Sequence, residues 1–386
     1  LFAIGSLAGG GSERQLINIL RHVDRSQFEP HLYLVSRSGE FLSQVPDDVP
    51  VTAFDHDPLP SGIYLPGRIR RAQIAHFAKT LSNQRTDVVY DRTPHMTLIA
   101  GPACRRTGIP HVSAVVSNPV HDLRDNIGRF GWFKKQILRK SYRTAARVIA
   151  NSDPLARECR EFYGLAQDQV AVISNGFDFD EIQRLAGVGT DNADTVRSTS
   201  TFHIVAAGRL EECKGFDLLF GALNELVNVR DHISITATIA GRGGAEAELK
   251  HLAAQHCLEQ VVDFAGFLQN PYPLIQSADL FCLTSRYEGM PNVLVEAMSL
   301  GVPVLATDCP HGPRDILLDG KLGTLVANVD SHAIADGIER VMNRSSAGDD
   351  ADRTEAAQES VLSRFGIEAT TRTLEELLAA VARQES

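Results

Sequence analysis

Glu288-Gly289-Met290-Pro291-Asn292-Val293-Leu294-Val295-Glu296 lies between two apolar runs, 279–283 and 302–306, that read as strands. The stretch reads as a turn that opens a helix. Pro291 suits a first turn, where its missing N–H costs nothing, and Gly301 is placed to end the helix. The amides of Gly289, Met290, Asn292 and Val293 then face out of the helix N-terminus, a natural seat for a phosphate. Glu288 falls in the turn and Glu296 about a turn and a half inside the helix. Carboxylates accept hydrogen bonds from hydroxyl groups, so two of them beside a phosphate seat suit a ribose and a hexose. The combination describes a nucleotide-sugar pocket.

Working outward, this strand–turn–helix–strand unit is repeated along the chain. Strand-like runs occur near 1–5, 31–36, 87–90, 110–116, 147–151 and 170–174, and again near 203–207, 233–240, 261–265, 279–283, 302–306 and 323–326. Helical spacing separates several of them, as in Leu16, Ile17, Leu20 and Val23, and near 216–228, 245–256, 291–300 and 331–343. Such alternation implies parallel sheets covered by helices on both faces. The expected class is therefore α/β with two Rossmann-like domains, 1–185 and 202–365. The polar stretch 186–201 contains little to bury and reads as their linker. Residues 345–352 form a second polar stretch, and 368–383 an amphipathic helix with Leu374, Leu377, Leu378 and Val381 on one side.

The 386 residues, 43% of them hydrophobic, are ample for two cores. No apolar run reaches the roughly 20 residues needed to span a bilayer. Leu1 to Ile4 reads as a first strand whose opening residues precede the sequence. Cysteines 104, 159, 213, 257, 282 and 309 are scattered without a C-x-x-C pair, which fits a reduced, cytoplasmic setting. The net charge of −10 is unevenly spread. Residues 1–185 carry 23 Lys and Arg against 19 Asp and Glu, whereas residues 186–386 carry 15 against 29. Residues 124–147 hold eight Lys and Arg and one Asp, a block that suggests an anionic partner or surface.

Glu288 to Glu296 resembles the E-x7-E motif of the family 4 retaining glycosyltransferases (glycosyl transferases group 1), which have the two-domain GT-B fold. Five other segments agree in order. Gly9-Gly10-Gly11-Ser12-Glu13-Arg14 is similar to the family's N-terminal glycine loop, and Ile173-Ser174-Asn175-Gly176-Phe177-Asp178 to the end of its first domain. Gly208-Arg209-Leu210 with Lys214-Gly215 resembles the diphosphate loop; Gly241-Arg242-Gly243 and Asp308-Cys309-Pro310-His311-Gly312-Pro313-Arg314 complete the set. The resemblance implies two sheets facing across a cleft, with the acceptor on the N-terminal domain and the donor on the C-terminal one. A final helix, about 366–386, is expected to cross back onto the first domain. Arg209 and Lys214 fall to the diphosphate, Glu296 to the ribose, and Glu288 to the donor sugar. Gly241 and Gly243 are expected to turn the backbone beneath the nucleotide, and Gly10 and Gly11 to cap the donor from the acceptor side. The implied reaction moves a hexose or N-acetylhexosamine from a nucleoside-diphosphate sugar to a hydroxyl, with retention. The run from Asp308 to Arg314 leans to UDP-sugars.

The family's active-site histidine has no match at its usual place, because the strand 112–116 runs into Ser117-Asn118-Pro119. His121 and His95 are the candidates. No metal or cofactor is expected beyond the nucleotide sugar itself; Asp178-Phe179-Asp180, a D-x-D by count, reads as a polar turn opening a helix. In 124–147, Phe130, Trp132, Phe133, Ile137, Leu138 and Tyr142 interleave with the cations. Two readings stay open there. One is a segment lying on an anionic membrane, which would place the protein peripherally on the inner face of the plasma membrane, near a glycan or lipid-linked acceptor. The other is a helix packed on the first domain with its cations solvated. The acidic remainder of the chain disfavours nucleic acid. Two further functions also stay open: a sugar-nucleotide isomerase of the same fold, and a non-catalytic descendant that binds carbohydrate or membrane.

Overall fold

The computed structural model of the protein describes residues 1–56, 67–120, 131–188, 201–231, 234–327 and 329–383. It divides into two compact units, Leu1–Phe177 with Ile367–Ser386, and Asp178–Gly366.

The first unit is built on a seven-stranded sheet of β1 (Phe2–Ile4), β2 (Leu32–Leu34), β3 (Val51–Ala53), β4 (Val89–Arg92), β5 (His111–Val115), β6 (Arg147–Ala150) and β7 (Val170–Val172). Its order is β3-β2-β1-β4-β5-β6-β7, and every pairing is parallel. Successive strand side chains point to opposite faces. Phe2, Ile4, Leu32 and Leu34 accordingly join one core with Leu16, Ile17 and Leu20, while Ala3, Tyr33 and Val89 join another with Phe77, Leu81 and Met96. Burial on both faces is why these strands read as continuous apolar runs. The sequence reading missed β3, because Val51-Thr52-Ala53 is too short to stand out as a run; its register, Leu32 opposite Val51, comes from pairing with β2.

The second unit carries β8 (Phe202–Ala207), β9 (Ile235–Ala240), β10 (Val262–Gly266), β11 (Leu280–Leu283), β12 (Val304–Thr307) and β13 (Thr324–Val326) in the order β10-β9-β8-β11-β12-β13, again all parallel. Both sheets therefore reverse direction of growth next to their first strand, at β1/β4 and at β8/β11. Ligands of open α/β sheets bind outside the carboxyl ends of the strands at such a reversal. The helix Ser331–Ala347 runs into the polar stretch 345–352 and ends at Gly348, and a further helix, Ala351–Arg364, starts at the far end of that stretch.

The chain returns to the first unit at Ile367, whose N–H donates to the Phe177 carbonyl at 3.0 Å. The helix Ile367–Arg383 buries Leu374, Leu378 and Val381 in the same core as β1 and β2. It presses so closely on Gly176 that a Cβ there would meet Ile367 Cδ1 at 2.8 Å and Thr370 Cβ at 2.9 Å, which explains the glycine after Asn175. The units divide at Phe177, ahead of the position 185 read from the sequence. The reason is the helix Phe179–Ala186, which is fixed within the second unit: Gln183 donates to Ser299 O and Asn270 to Leu185 O, both at 2.8 Å. Asp178 caps this helix by accepting from the Glu181 N–H at 2.9 Å. Most of the polar stretch 186–201 lies outside the described residues.

Candidate active site

The E-x7-E segment leaves the carboxyl end of β11 and enters a helix over Asn292–Ser299. Pro291 is the capping residue, one position before the first turn. At the other end Gly301 adopts a φ of +70°. Its N–H donates to Met298 O and that of Val302 to Ala297 O, both at 3.1 Å. This pair of bonds closes a helix through a left-handed residue and satisfies carbonyls that have no partner inside it.

Glu288 is 8% exposed, and its Oε1 accepts from both Lys214 Nζ at 2.7 Å and Ser285 Oγ at 2.6 Å. The Glu288 N–H donates to Pro310 O at 3.1 Å, tying it to the loop after β12. From the end of that strand Thr307 Oγ1 donates to Ser285 O at 2.6 Å. Lys214 belongs to a different loop, the short turn Glu212–Lys214 after β8. Arg286 fastens the two loops together. Its guanidinium forks onto Asp217 at 2.7 and 2.6 Å and donates to Glu212 O at 2.7 Å, while its N–H donates to Cys213 O at 2.8 Å. Burial alone would raise the Asp217 carboxyl, but the Arg286 bonds outweigh it and hold the group below its usual range. Beside Glu288, burial and the carboxylate's charge push the Cys309 thiol up to about 12, so it is a packing group and not a thiolate.

Glu296 lies one helix face deeper, 4% exposed, with the Tyr272 hydroxyl donating to its Oε1 over a long 3.5 Å. Gly241 and Gly243 follow β9 and run against the diphosphate loop. Gly208 N–H donates to Ala240 O at 2.9 Å, Leu210 N–H to Arg242 O at 3.0 Å, and Ala245 N–H to Leu210 O at 2.9 Å. Gly241 has a φ of +146°, and a Cβ on it would collide with the Gly208 carbonyl oxygen; one on Gly243 would collide with that of Leu210. The G-x-G pair thus permits two loops to lie in backbone contact. Arg209 is not drawn into the Lys214–Glu288 cluster. It is 63% exposed on its side chain and pairs with Glu211 at 3.0 Å.

In the first unit Gly10 caps the helix Gly11–His22, and the Glu13 carboxylate lies over it. His95 stands in the first turn of the helix Pro94–Thr107, where a Cβ on Gly5, the residue after β1, would meet its Nδ1 at 3.5 Å. His121 lies outside the described residues, as do residues 124–130. From Gly131 that basic segment forms the helix Gly131–Arg143, which buries Leu138 and Tyr142 and leaves Trp132 74% and Phe133 51% exposed, and the segment ends at Arg147, the first residue of β6. Among the described residues no cluster of three or more His, Cys, Asp or Glu could hold a metal, and no helix is long and apolar enough to cross a membrane.

The sequence reading missed Ser285, Arg286, Asp217 and Tyr272. Ser285 left a faint signal, a small polar residue three positions before Glu288; the others act through partners remote in the chain. Together the assembled groups offer cations for a diphosphate, buried carboxylates for hydroxyls, and a fixed backbone cradle, all at the carboxyl edge of one sheet.

Two family descriptions match the chain in succession, Glycosyltransferase Family 4 over residues 9–181 and Glycosyl transferases group 1 over residues 190–360. The lipopolysaccharide core biosynthesis glycosyltransferase LpsE of Rhizobium meliloti is 26% identical over 328 residues, which cover 83% of this chain and 90% of that protein. The N-acetylgalactosamine-N,N'-diacetylbacillosaminyl-diphospho-undecaprenol 4-alpha-N-acetylgalactosaminyltransferase of Campylobacter jejuni is 22% identical over 343 residues, 88% of either protein. The crystal structure of Anabaena HepE with UDP and glucose matches with a TM-score of 0.79 at 23% identity, over 98% of each chain, a likeness of fold. With both halves matched in order on two parallel sheets of GT-B type, the chain belongs to the family 4 glycosyltransferases of GT-B fold.

Proposed function

We propose that the protein is a retaining hexosyltransferase that takes a hexose or N-acetylhexosamine from a nucleoside-diphosphate sugar, UDP-linked by preference. The acceptor is a hydroxyl of a glycan or lipid-linked oligosaccharide in the synthesis of cell-surface polysaccharide or glycolipid. The observation that carries the reading is the cluster at the mouth of β11 of half-buried Lys214 with buried Glu288 and Ser285, with Glu296 buried on the helix behind it. Lys214 and Arg209 meet the charge that develops on the departing diphosphate, a task for which preoriented cations need no reorganisation. Arg209, exposed at the loop edge, swings from Glu211 to the phosphates. Glu296 holds the ribose hydroxyls. Glu288 receives the donor sugar's hydroxyls on the oxygen left beside its two donors. A carboxylate so engaged is suited to orienting a sugar and not to attacking it, so the diphosphate oxygen takes the acceptor's proton during front-face attack. Positive side chains and amides take the place of a divalent ion.

The names of the relatives support the acceptor class, since one acts in lipopolysaccharide core synthesis and another is named for a diphospho-undecaprenol substrate. The complex of Anabaena HepE with UDP supports the nucleotide. Trp132 and Phe133, exposed on a helix that also carries exposed Lys140 and Arg143, suit contact with an anionic bilayer on the cytoplasmic side, where such an acceptor would be met.

The test is thermal-shift binding of UDP, GDP, ADP and their common sugars to the full chain and to Arg209→Ala and Glu296→Ala. A ligand that binds only the native state raises its stability by mass action. A shift with UDP and UDP-sugars, reduced in both variants, is expected, and transfer should persist in EDTA. No shift with any nucleotide would overturn the reading.

A further inference from the structure

The second unit has a groove of about 370 Å³ beside its edge strand β13, bordered by Asp308, Arg314, Asp319, Arg340, Arg344 and Arg353. Asp308 and Arg314 belong to the run that leans to UDP-sugars, but none of Lys214, Arg209, Glu288, Glu296, Gly241 and Gly243 borders it. Residues 186–386 hold only 15 Lys and Arg against 29 Asp and Glu, yet four of the arginines meet here. Their carboxylates are fewer than they are. Arg314 is taken up by Asp308 and Asp319. Arg344 and Arg353 share one partner, Asp350, whose Oδ1 lies 3.0 Å from Arg344 Nε and 4.0 Å from Arg353 Nη1. Arg340 makes no close ion pair or hydrogen bond among the described residues; Asp336, one turn before it, feels its charge but is bonded to Arg230 at 2.6 Å. Arg353 is held by the carbonyls of Gly320 at 3.1 Å and Lys321 at 3.2 Å, and Arg344 also donates to Thr324 Oγ1 at 2.8 Å. These two guanidinium groups are therefore fixed before any ligand arrives. Burial and the neighbouring charge of Arg344 both disfavour the Arg353 cation, the signature of a crowded positive site.

We infer that this arginine-lined groove binds a phosphoryl group carried by a small molecule or a lipid headgroup. A phosphoryl group presents three acceptor oxygens and can take forks from two or three guanidinium groups at once, which a single shared carboxylate cannot. The groove's volume suits one ligand of phosphosugar size. An excess of cations in a half that is otherwise strongly acidic gives such a ligand a local attraction against the field of its surroundings.

The experiment is calorimetric titration of inorganic phosphate and pyrophosphate into the full chain presaturated with UDP, for the parent, Arg340→Gln, Arg353→Gln and Lys214→Ala. Arg340 is exposed and makes no bond, so its substitution leaves the fold intact, whereas Arg353→Gln also releases two carbonyls. The expected result is binding weakened about tenfold in Arg340→Gln, the scale of one lost charge-assisted contact, and unchanged in Lys214→Ala. A parallel sedimentation with phosphatidylglycerol and phosphatidylcholine vesicles assigns the source. Loss of phosphatidylglycerol binding in Arg340→Gln points to a headgroup, and phosphate binding without vesicle binding points to a small molecule. Equal binding by the parent and Arg340→Gln in both assays, or none by either, overturns the inference. Loss in Lys214→Ala with retention in Arg340→Gln also overturns it, because the anion would then be occupying the proposed donor site.

Discussion

Ser285→Ala tests whether the geometry around Glu288 is energetically real. The substitution removes one of two donors on Glu288 Oε1, at 2.6 Å, between side chains that are 0% and 8% exposed. A hydrogen bond to a charged group contributes about 1.5–3 kcal/mol. Lys214 remains at 2.7 Å, so the carboxylate keeps a partner and the lower end of that range, about 1.5 kcal/mol, applies. For a unit of this size each kcal/mol moves the midpoint about 2–4 °C, so thermal unfolding should show a fall of about 3–6 °C. In the proposed reaction Glu288 then loses its orientation while the nucleotide contacts stay. The expected kinetic signature is kcat down about tenfold, the equivalent of 1.4 kcal/mol, with the nucleotide's affinity unchanged. Ser285→Thr keeps the hydroxyl and should recover most of the loss. A double-mutant cycle with Glu288→Gln isolates the pair, and a coupling above about 0.5 kcal/mol is expected. If the two substitutions add within that margin, and Ser285→Ala turns over as fast as the parent, the contact does not hold Glu288 and the reasoning fails.

Other outcomes follow from the same structure. Lys214→Ala leaves the Glu288 carboxylate buried without its cation, and breaking such a pair costs about 3 kcal/mol or more; unfolding in urea should show it, and a loss under 1 kcal/mol would mean that water reaches the carboxylate freely. Gly241→Ala forces a Cβ into the Gly208 carbonyl and should weaken UDP binding more than about tenfold by displacing the diphosphate loop. Gly301→Ala meets no close neighbour, so it should cost only about 1 kcal/mol for its left-handed φ and leave UDP affinity alone; equal effects of the two glycine variants on binding would contradict the loop packing described. His332 Nδ1 donates to Glu225 Oε1 at 2.8 Å, and this bond raises its imidazole above the usual value near 6.5. A raised folded value gives stability that is complete below about pH 6.5 and lost as pH climbs through it, so His332→Gln should lower the melting temperature at about pH 5.5 and not at about pH 9. Equal effects at both pH values would show that the imidazolium is not what matters.

Much of the fold was legible in the sequence because its signals are local. Strand runs such as 204–207 and 280–283 are apolar throughout since helices cover both faces of a parallel sheet. The bounds of the helix Asn292–Ser299 were written in Pro291 and Gly301, whose backbone preferences act without help from the rest of the chain. The element β3 escaped because three residues carry no period, and the division at Phe177 escaped because it depends on which unit the helix Phe179–Ala186 packs against.

The candidate site divides along the same line. The sequence alone determined which groups could serve a nucleotide sugar: Glu288 and Glu296 by their spacing across a turn that opens a helix, and Lys214, Arg209 and the G-x-G pair by their resemblance to the family's motifs. Only the tertiary structure decided which of them meet. Lys214 reaches Glu288 across 74 positions because Arg286 clamps its loop to Asp217, Ser285 shares the same carboxylate oxygen, and Arg209 stays outside with Glu211. Those contacts depend on the relative placement of β8, β11 and β12 in one sheet, and local sequence carries no record of a long-range register.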